Sequence, residues 1–199
     1  MSTPTLYYFD ARARAETSRL LFVYSGAKFN DNRSGFPLAE DVRAKTPFGQ
    51  VPFLEDGETQ LAQSIAIESY LAEKFQLAGS SPTERAEVLQ FALVPGDFYA
   101  PYFAAKDDAA NLKFKEETAP KFFSKLEAVL IKKGGEHFVG NKLTWADISI
   151  FNLIDFFHQQ HSNLVAAVLP FPTLLAFHKR VAAIPQFAEY LKNRPITRL

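Results

Sequence analysis

Two short segments carry residues whose types and spacing suit the binding of a small acidic peptide. In the first, a Val51-Pro52 bond opens a short apolar run. Proline has no amide hydrogen, so the main chain before Pro52 is left to pair with something other than a neighbouring strand. In the second, Gln63-Ser64 precedes an apolar pattern of helical period. Ser64 can cap that helix, and the N–H groups behind it favour a carboxylate.

The composition limits the chemistry that this chain can do. Its 199 residues include no cysteine, which excludes disulfides, thiolate metal sites and cysteine nucleophiles, so any reacting sulfur must arrive with a ligand. Basic and acidic residues number 22 each, and this balance gives no case for nucleic acid or an anionic membrane as partner. The first residues lack a secretory signal, and no apolar run is long enough to span a bilayer. We therefore expect a cytoplasmic protein.

The elements that must position these segments follow from the apolar pattern. An aromatic run over Leu6–Phe9 predicts a first strand, and the spacing over Arg14–Ser25 predicts a helix that ends at Gly26. Lys28–Arg33 is a weak second strand, and Asp56-Gly57 between two short runs predicts a hairpin turn. The order is β-α-β, a connecting segment, then β-β-α. This is the order of a thioredoxin-like α/β domain.

Beyond this region the pattern predicts helices only. Pro82 suits a first helical turn, and a long helix is expected over Glu84–Ala105 with a kink at Pro95-Gly96. Thr144-x-x-Asp147 predicts a capped and buried helix. Further helices are expected at Phe114–Lys132, Thr173–Ala183 and Gln186–Asn193. We predict two domains, thioredoxin-like over 1–76 and all-helical over 82–199.

Taken in order, the motifs of both domains resemble those of the cytosolic glutathione transferases, and most closely their sigma class. The matching segments are Tyr8–Asp10, Arg12–Glu16, Pro47–Pro52, Gln63–Ala66 and Leu143–Asp147. The resemblance implies the glutathione transferase fold, in which an α/β thioredoxin-like N-terminal domain binds glutathione. An all-α C-terminal domain would form the electrophile pocket and part of a dimer interface.

Tyr8 is the residue that the resemblance assigns to the reaction. Strand periodicity cannot choose between Tyr7 and Tyr8, which point to opposite faces, and both could simply pack in the core. The family pattern places the tyrosine directly before Phe-Asn/Asp, which selects Tyr8. A thiol of pKa about 8.5 is mostly protonated at neutral pH. One charge-assisted hydrogen bond contributes about 1.5–3 kcal/mol, or about one to two pKa units, so this hydroxyl could keep bound glutathione largely anionic.

The resemblance implies roles for the two segments described first. Val51 would pair its backbone with the cysteinyl unit of glutathione, with Pro52 in the cis form. Gln63 and Ser64 would hold the γ-glutamyl carboxylate at a helix N-terminus. An ordinary helix cap remains the simpler interpretation of Ser64.

Other site residues are implied in the same way. Arg14 would lie beside Tyr8, where its charge favours an anionic sulfur. Arg43 would face the glycyl carboxylate, with Gln50 close by, and Asp97 would reach the γ-glutamyl amine bound by the partner subunit. For Arg43 and Asp97, a solvated charge on a helix is the alternative.

The resemblance also implies a homodimer. Phe48 would insert into the partner subunit, unless it packs within its own subunit.

The chain also departs from the sigma-class pattern. Ala39 stands where that class often has a tryptophan in the glutathione site, and Phe36 could replace some of the lost packing. Near the dimer axis, where the prostaglandin D synthase branch binds a metal, the chain has Leu93, Gly96 and Asp97, so only one carboxylate remains. We therefore predict no metal.

A second possible metal motif lies further along the chain. Asp155-x-x-His158-x-x-His161 places these side chains on one helix face. With no thiolate and no further ligand pair, a polar helix face is the preferred interpretation.

The resemblance implies a transferase that joins glutathione to hydrophobic electrophiles. Tyr99, Tyr102 and Phe103 have helical spacing and could line the electrophile pocket expected between the domains, or could be core. Two other functions stay open. One is a glutathione-dependent isomerase of the prostaglandin-synthase type, and the other is a non-catalytic carrier or structural protein of the crystallin type.

Overall fold

The computed structural model describes residues 2–160 and 170–197, without the side chains of residues 158–160. Two compact units are present. The first contains the residues up to Gln76 and those from Pro185 onward, and the second runs from Leu77 to Ile184. The C-terminal segment therefore packs with the first unit, although in sequence it follows the helical region.

A four-stranded sheet forms the centre of the first unit. Its strands are β1 (Thr5–Phe9), β2 (Asn30–Ser34), β3 (Phe53–Asp56) and β4 (Thr59–Ala62), in the order β2-β1-β3-β4. β1 pairs in parallel with β2, and β3 pairs antiparallel with both β1 and β4. The helical crossover between β1 and β2 makes their parallel pairing possible. The thioredoxin-like fold class is confirmed.

The helices of the first unit include one that the sequence pattern did not predict. They are α1 (Glu16–Ser25), preceded by a 3-10 turn at Ala13–Ala15, α2 (Glu40–Lys45), α3 (Ser64–Lys74) and α9 (Pro185–Asn193). α1 ends at Gly26, whose φ of +71° is left-handed, as expected for a glycine after a helix. α1 packs against both α3 and α9. The unpredicted helix is α2, which lies in the connecting segment.

The two faces of β1 enter different surroundings. Tyr7 belongs to a small apolar cluster that includes Val42 of α2 and Phe53 of β3. Alternation turns Tyr8 to the opposite face, where the guanidinium carbon of Arg19 from α1 lies 5.9 Å from the centroid of its ring. Both tyrosines are buried, with 7% and 6% of their surface exposed. Burial alone therefore does not distinguish them.

The hairpin between β3 and β4 differs by one residue from the predicted turn. Asp56 pairs with Thr59, so the two loop residues are Gly57 and Glu58 rather than Asp56 and Gly57. Gly57 has a φ of +63°, a conformation that favours glycine, and it occupies the first loop position. The glycine thus sets the turn, and Asp56 remains in the strand.

The second unit is helical throughout its described secondary structure. Its elements are α4 (Pro82–Ala104), α5 (Asp108–Lys113), a π-helical turn (Phe114–Thr118), α6 (Ala119–Lys132), α7 (Trp145–Gln160) and α8 (Pro172–Ala182). α7 packs against α4 and α8. In the described ranges, no helix combines the length and the apolar character needed to cross a membrane.

The start of α7 has the capping arrangement that the sequence predicted. The carboxylate of Asp147 accepts hydrogen bonds from the Thr144 amide at 2.8 Å and the Thr144 hydroxyl at 3.1 Å. Its other oxygen accepts the Phe138 amide at 2.9 Å. Because Asp147 is fully buried, these bonds are needed to offset the cost of removing its charge from water.

Candidate active site

The hydroxyl of Tyr8 is held by the loop that follows its own strand. It accepts a hydrogen bond from the backbone N–H of Arg14 at 3.3 Å. Burial raises the pKa of Tyr8, and this effect is opposed by the Arg14 N–H and by the positive charges of Arg14 and Arg19. The Tyr8 phenol therefore remains protonated at neutral pH and can act as a hydrogen-bond donor.

The hydroxyl of Tyr7 has a different set of partners. It donates to the Glu55 carboxylate at 2.6 Å and accepts from the Lys45 ammonium at 3.2 Å. The pKa of Tyr7 is raised, first by its hydrogen bond to Glu55 and then by burial. The single proton of this phenol is committed to a carboxylate of the protein itself.

Comparison of the two hydroxyls shows which one has a donor to offer. A phenol has one proton to give and can also accept. For Tyr8, the Arg14 amide occupies the acceptor side, and no acceptor for its proton occurs within residues 2–160 and 170–197. Geometry therefore supports the choice of Tyr8 that the sequence motif suggested.

An open cleft lies in the first unit beside this loop. The empty space in and immediately above it, part of which is open solvent, is about 260 Å³. Its lining contains Arg14, Phe48, Gln50, Val51, Pro52, Ala62, Gln63 and Ser64. Six of the predicted site residues, Arg14, Gln50, Val51, Pro52, Gln63 and Ser64, therefore come together around one cavity.

The Val51-Pro52 segment forms one wall of the cleft. The peptide bond between these residues is cis, and Pro52 is buried while Val51 is half-buried. The backbone of Val51 takes part in none of the loop hydrogen bonds found between described residues. Its N–H and C=O are therefore available to a ligand, and their pairing with an extended peptide stays a prediction.

The opposite wall is the start of α3, and here one expectation is corrected. Ser64 is the first helical residue, so the N-cap position belongs to Gln63, and no side-chain hydrogen bond caps the helix. Gln63 has φ +72° and ψ 121°, a sparsely populated conformation for a residue with a side chain. The interpretation of Ser64 as an ordinary cap is wrong, and the first amides of α3 are left for another acceptor.

Three predicted site residues are absent from the cleft lining: Tyr8, whose hydroxyl is bound by the amide of Arg14 from that lining, Arg43 and Asp97. Arg43 is on α2 with 49% of its side chain exposed and its Nε 3.6 Å from Glu40. A methyl group at Gly49 would lie 3.7 Å from the Cγ of Arg43, so this side chain passes beside the 47–52 loop. Asp97 is exposed on α4 of the second unit. Its role at a partner's site stays a prediction.

The three aromatic residues predicted to line an acceptor pocket form one group on α4. The ring centroids of Tyr102 and Phe103 are 5.0 Å apart, and those of Tyr99 and Phe103 are 6.0 Å apart. Phe103 has 48% of its surface exposed. Burial raises the pKa of Tyr102. The group therefore presents one exposed ring beside two that are partly buried.

Sequence reasoning missed a buried charge network behind Tyr8. Glu16 and Arg19 of α1 are both fully buried and are joined by a 3.2 Å ion pair. Two residues from the C-terminal segment, Tyr190 and Arg194, also bind Glu16. The available signal was the Glu16-x-x-Arg19 spacing, but the distant partners leave no local pattern.

Within the ranges that the structure describes, no group of three or more His, Asp or Glu side chains could hold a metal ion. The His158 side chain and His161 lie outside the described residues. Asp155 lies 3.2 Å from the Nε2 of His178, which is an internal pairing of two buried side chains.

Comparison with known proteins identifies the family. The chain matches the glutathione S-transferase N-terminal domain over residues 4–73 and the corresponding C-terminal domain over residues 96–194. It is 36% identical to probable glutathione S-transferase 5 of Caenorhabditis elegans, over 96% of this chain and 97% of that protein. It is 32% identical to the hematopoietic prostaglandin D synthase of Homo sapiens, over 98% of both chains. A sigma class glutathione transferase structure from Fasciola hepatica has a TM-score of 0.86 and 27% identity, over 99% of each chain. This chain therefore belongs to the glutathione S-transferase family.

Proposed function

We propose that this protein is a sigma-like glutathione transferase that joins the thiolate of glutathione to hydrophobic electrophiles, with Tyr8 stabilising the thiolate. The observation that carries the proposal is the state of the Tyr8 hydroxyl. Arg14 holds it through a backbone amide, Arg14 also lines the cleft, and the Tyr8 proton is available for a ligand. A sulfur anion in the cleft would complete this hydrogen-bond pair.

In the proposed reaction, the thiol proton of glutathione passes to solvent and leaves a thiolate. Tyr8 donates a hydrogen bond to this sulfur, and the charge of Arg14 favours the anion. The sulfur attacks the electrophilic carbon of the acceptor, a carbon–sulfur bond forms, and the leaving group departs with its electron pair. Tyr8 keeps its own proton throughout, which agrees with its raised pKa.

The peptide would be held by the two walls of the cleft. Val51 offers backbone groups to the cysteinyl unit. Gln63, Ser64 and the uncapped start of α3 offer donors to the γ-glutamyl carboxylate. Arg43 and Gln50 would bind the glycyl end of glutathione. The aromatic residues Tyr99, Tyr102 and Phe103 of α4 would contact the acceptor. These contacts orient the thiol toward Tyr8, and such orientation is a large part of enzymatic rate enhancement.

A titration of the bound thiol tests the proposal directly. Glutathione is bound to the wild-type protein and to Tyr8→Phe, and the ultraviolet absorbance of the thiolate is followed against pH. We expect the pKa of bound glutathione to rise by about one to two units in Tyr8→Phe, because one charge-assisted hydrogen bond is lost. Glutathione affinity should stay nearly unchanged. An identical pKa in the two proteins would remove Tyr8 from this role.

A glutathione-dependent isomerase is the second candidate, and the similarity to a prostaglandin D synthase favours it. The same thiolate would add to the substrate and leave again, so glutathione would not be consumed. Leu93 and Gly96, which take the place of acidic residues expected in that branch, weigh against it. Product analysis separates the two, because only conjugation uses one glutathione per product formed. A protein that binds glutathione but turns over neither an aryl halide nor an isomerase substrate would instead be a carrier or structural protein.

We further propose a cytoplasmic homodimer in which Phe48 anchors one subunit on the other. Phe48 is 63% exposed in this single chain, and an aromatic side chain of this kind is a typical interface hot spot. Phe48→Ser should shift the protein from dimer to monomer in sedimentation analysis. Phe36→Ser is the matched control, because Phe36 is also exposed and belongs to the same unit. A dimer of unchanged stability in Phe48→Ser would exclude this anchor.

A further inference from the structure

The buried charge network behind Tyr8 ends at the C-terminal helix. Glu16 is fully buried and receives three donors. Its Oε2 accepts from the Nη1 of Arg19 at 3.2 Å. Its Oε1 accepts from the Tyr190 hydroxyl at 3.2 Å and from the Nη1 of Arg194 at 3.1 Å. A buried carboxylate needs such partners, because an unpaired charge in the interior is costly.

The other end of the network reaches the Tyr8 site. The Nη1 of Arg19 also donates to the Ala11 carbonyl at 2.6 Å. Ala11 belongs to the loop that carries Arg14, whose amide holds the Tyr8 hydroxyl. The Nη2 of Arg19 has no hydrogen-bond partner in the described ranges, and the guanidinium carbon lies 5.9 Å from the centroid of the Tyr8 ring. Arg19 thus contacts the ring and also fixes the loop that orients its hydroxyl.

The orientation of Arg19 depends on all of its partners. Its Nε binds Asp31 of β2 at 3.0 Å, and its Nη1 is shared between Glu16 and Ala11. A guanidinium is planar and rigid, so moving one edge moves the other. If Glu16 lost its C-terminal partners, its carboxylate would rely on Arg19 alone and would draw the guanidinium away from the loop.

We infer that α9, together with Arg194 directly after it, is a positioning element of the Tyr8 site: Arg194 and Tyr190 hold Glu16, Glu16 holds Arg19, and Arg19 holds the Tyr8 ring and its loop. These are positioning residues, because none of them is assigned a contact with the reacting atoms. The inference rests on the proposed function, since it concerns how well Tyr8 stabilises a bound thiolate. It assigns a role in the active site to residues near the end of the chain.

The test compares the pKa of bound glutathione in Arg194→Gln with that in the wild-type protein. We expect the thiolate pKa to rise by about 0.5 unit, which corresponds to about a threefold fall in kcat/KM below that pKa. Glutathione affinity should change by less than about twofold, because the cleft walls are untouched. Lys192→Gln is the matched control, since it removes one exposed positive charge from α9, close to Arg194 in the sequence, and should leave the pKa unchanged.

Two further variants separate positioning from general damage. In a Tyr8→Phe background, Arg194→Gln should add no shift, because the network acts through the Tyr8 hydroxyl. Arg194→Lys keeps the positive charge, so the thiolate pKa should rise by no more than half as much as in Arg194→Gln. An equal shift in the Tyr8→Phe background would overturn the inference, because the helix would then act by another route.

The remaining outcomes are also decisive. If Tyr8→Phe raises the thiolate pKa but Arg194→Gln does not, the inference fails while the proposed function stands. If Tyr8→Phe leaves the pKa unchanged, the proposed function fails, and the inference fails with it. Should Arg194→Gln not fold, Tyr190→Phe removes only one hydrogen bond from Glu16 and takes its place. An unchanged thiolate pKa in folded Tyr190→Phe would then overturn the inference.

Discussion

Tyr7 and Tyr8 follow one another in β1 and face opposite sides of the same sheet, so their surroundings can be compared directly. Both are buried to a similar extent. The hydroxyl of Tyr7 is tied to Glu55 and Lys45, whereas that of Tyr8 is held only as an acceptor, by Arg14. The comparison shows that the two tyrosines differ in the use of the phenol proton, and not in burial or residue type.

The largest expected effect is on turnover. Tyr8→Phe should lower kcat/KM for an aryl halide by about 10- to 100-fold at a pH below the thiolate pKa, because the sulfur loses its hydrogen bond. Tyr7→Phe is the matched variant, and it should retain turnover within about twofold. Steady-state kinetics on both proteins measure the difference. Equal losses in the two variants would contradict the division of roles between the two hydroxyls.

The order of effects reverses for stability. Tyr7→Phe should lower the free energy of unfolding by about 1 kcal/mol, because the Glu55 carboxylate loses its donor. Tyr8→Phe should lower it by less, because the Tyr8 proton has no acceptor within the described residues. Urea unfolding of the two variants measures both values. A greater loss in Tyr8→Phe than in Tyr7→Phe would mean that Tyr8 is mainly a structural residue.

Alkaline pH offers a third way to distinguish the two sides. The pKa of Tyr7 is raised above its ordinary value of 10.0, first by Glu55, so the unfolded chain loses this proton at a lower pH than the folded protein. The contribution to stability is complete below about pH 10 and is lost as pH rises through the folded pKa. Tyr7→Phe should therefore show a shallower fall in unfolding free energy above pH 10. Urea unfolding at several pH values measures this fall. A steeper fall in Tyr7→Phe than in the wild-type protein would contradict the prediction.

The smallest effect is expected at Lys45. Its ammonium donates to the Tyr7 hydroxyl at 3.2 Å, but the side chain is solvent-exposed, so water can replace this bond in Lys45→Met. We expect turnover within about twofold of the wild-type value and an unchanged urea midpoint. If Lys45→Met matched the loss of stability in Tyr7→Phe, the ammonium rather than Glu55 would be the main anchor of Tyr7.

Much of the fold could be predicted because local signals agreed with the final packing. Gly26 ends α1 in a left-handed conformation, and the Thr144–Asp147 pair caps α7. α2 was missed because it has six residues and only Val42 is buried, so it leaves no apolar period. The predicted helix over 114–132 begins with a π-helical turn at Phe114–Thr118, a detail that apolar spacing does not encode.

The cleft was easier to predict than the groups that support it. Val51, Pro52, Gln63 and Ser64 belong to short motifs, so their meeting at one cleft could be predicted from the sequence. The partners of Glu16 could not be inferred in this way, because Arg194 is 178 positions away in the sequence. No periodicity relates residues at that separation, and only the folded chain brings them together.

The location of α9 has a consequence for how the protein is made. Because residues from Pro185 onward complete the first unit, the segment up to Gln76 gains these contacts only after the chain from Pro185 onward has been synthesised. Until then the Glu16 carboxylate lacks its partners Tyr190 and Arg194, and the face of α1 that packs against α9 is uncovered. During synthesis, completion of the first unit should therefore follow that of the second unit, Leu77–Ile184, rather than precede it.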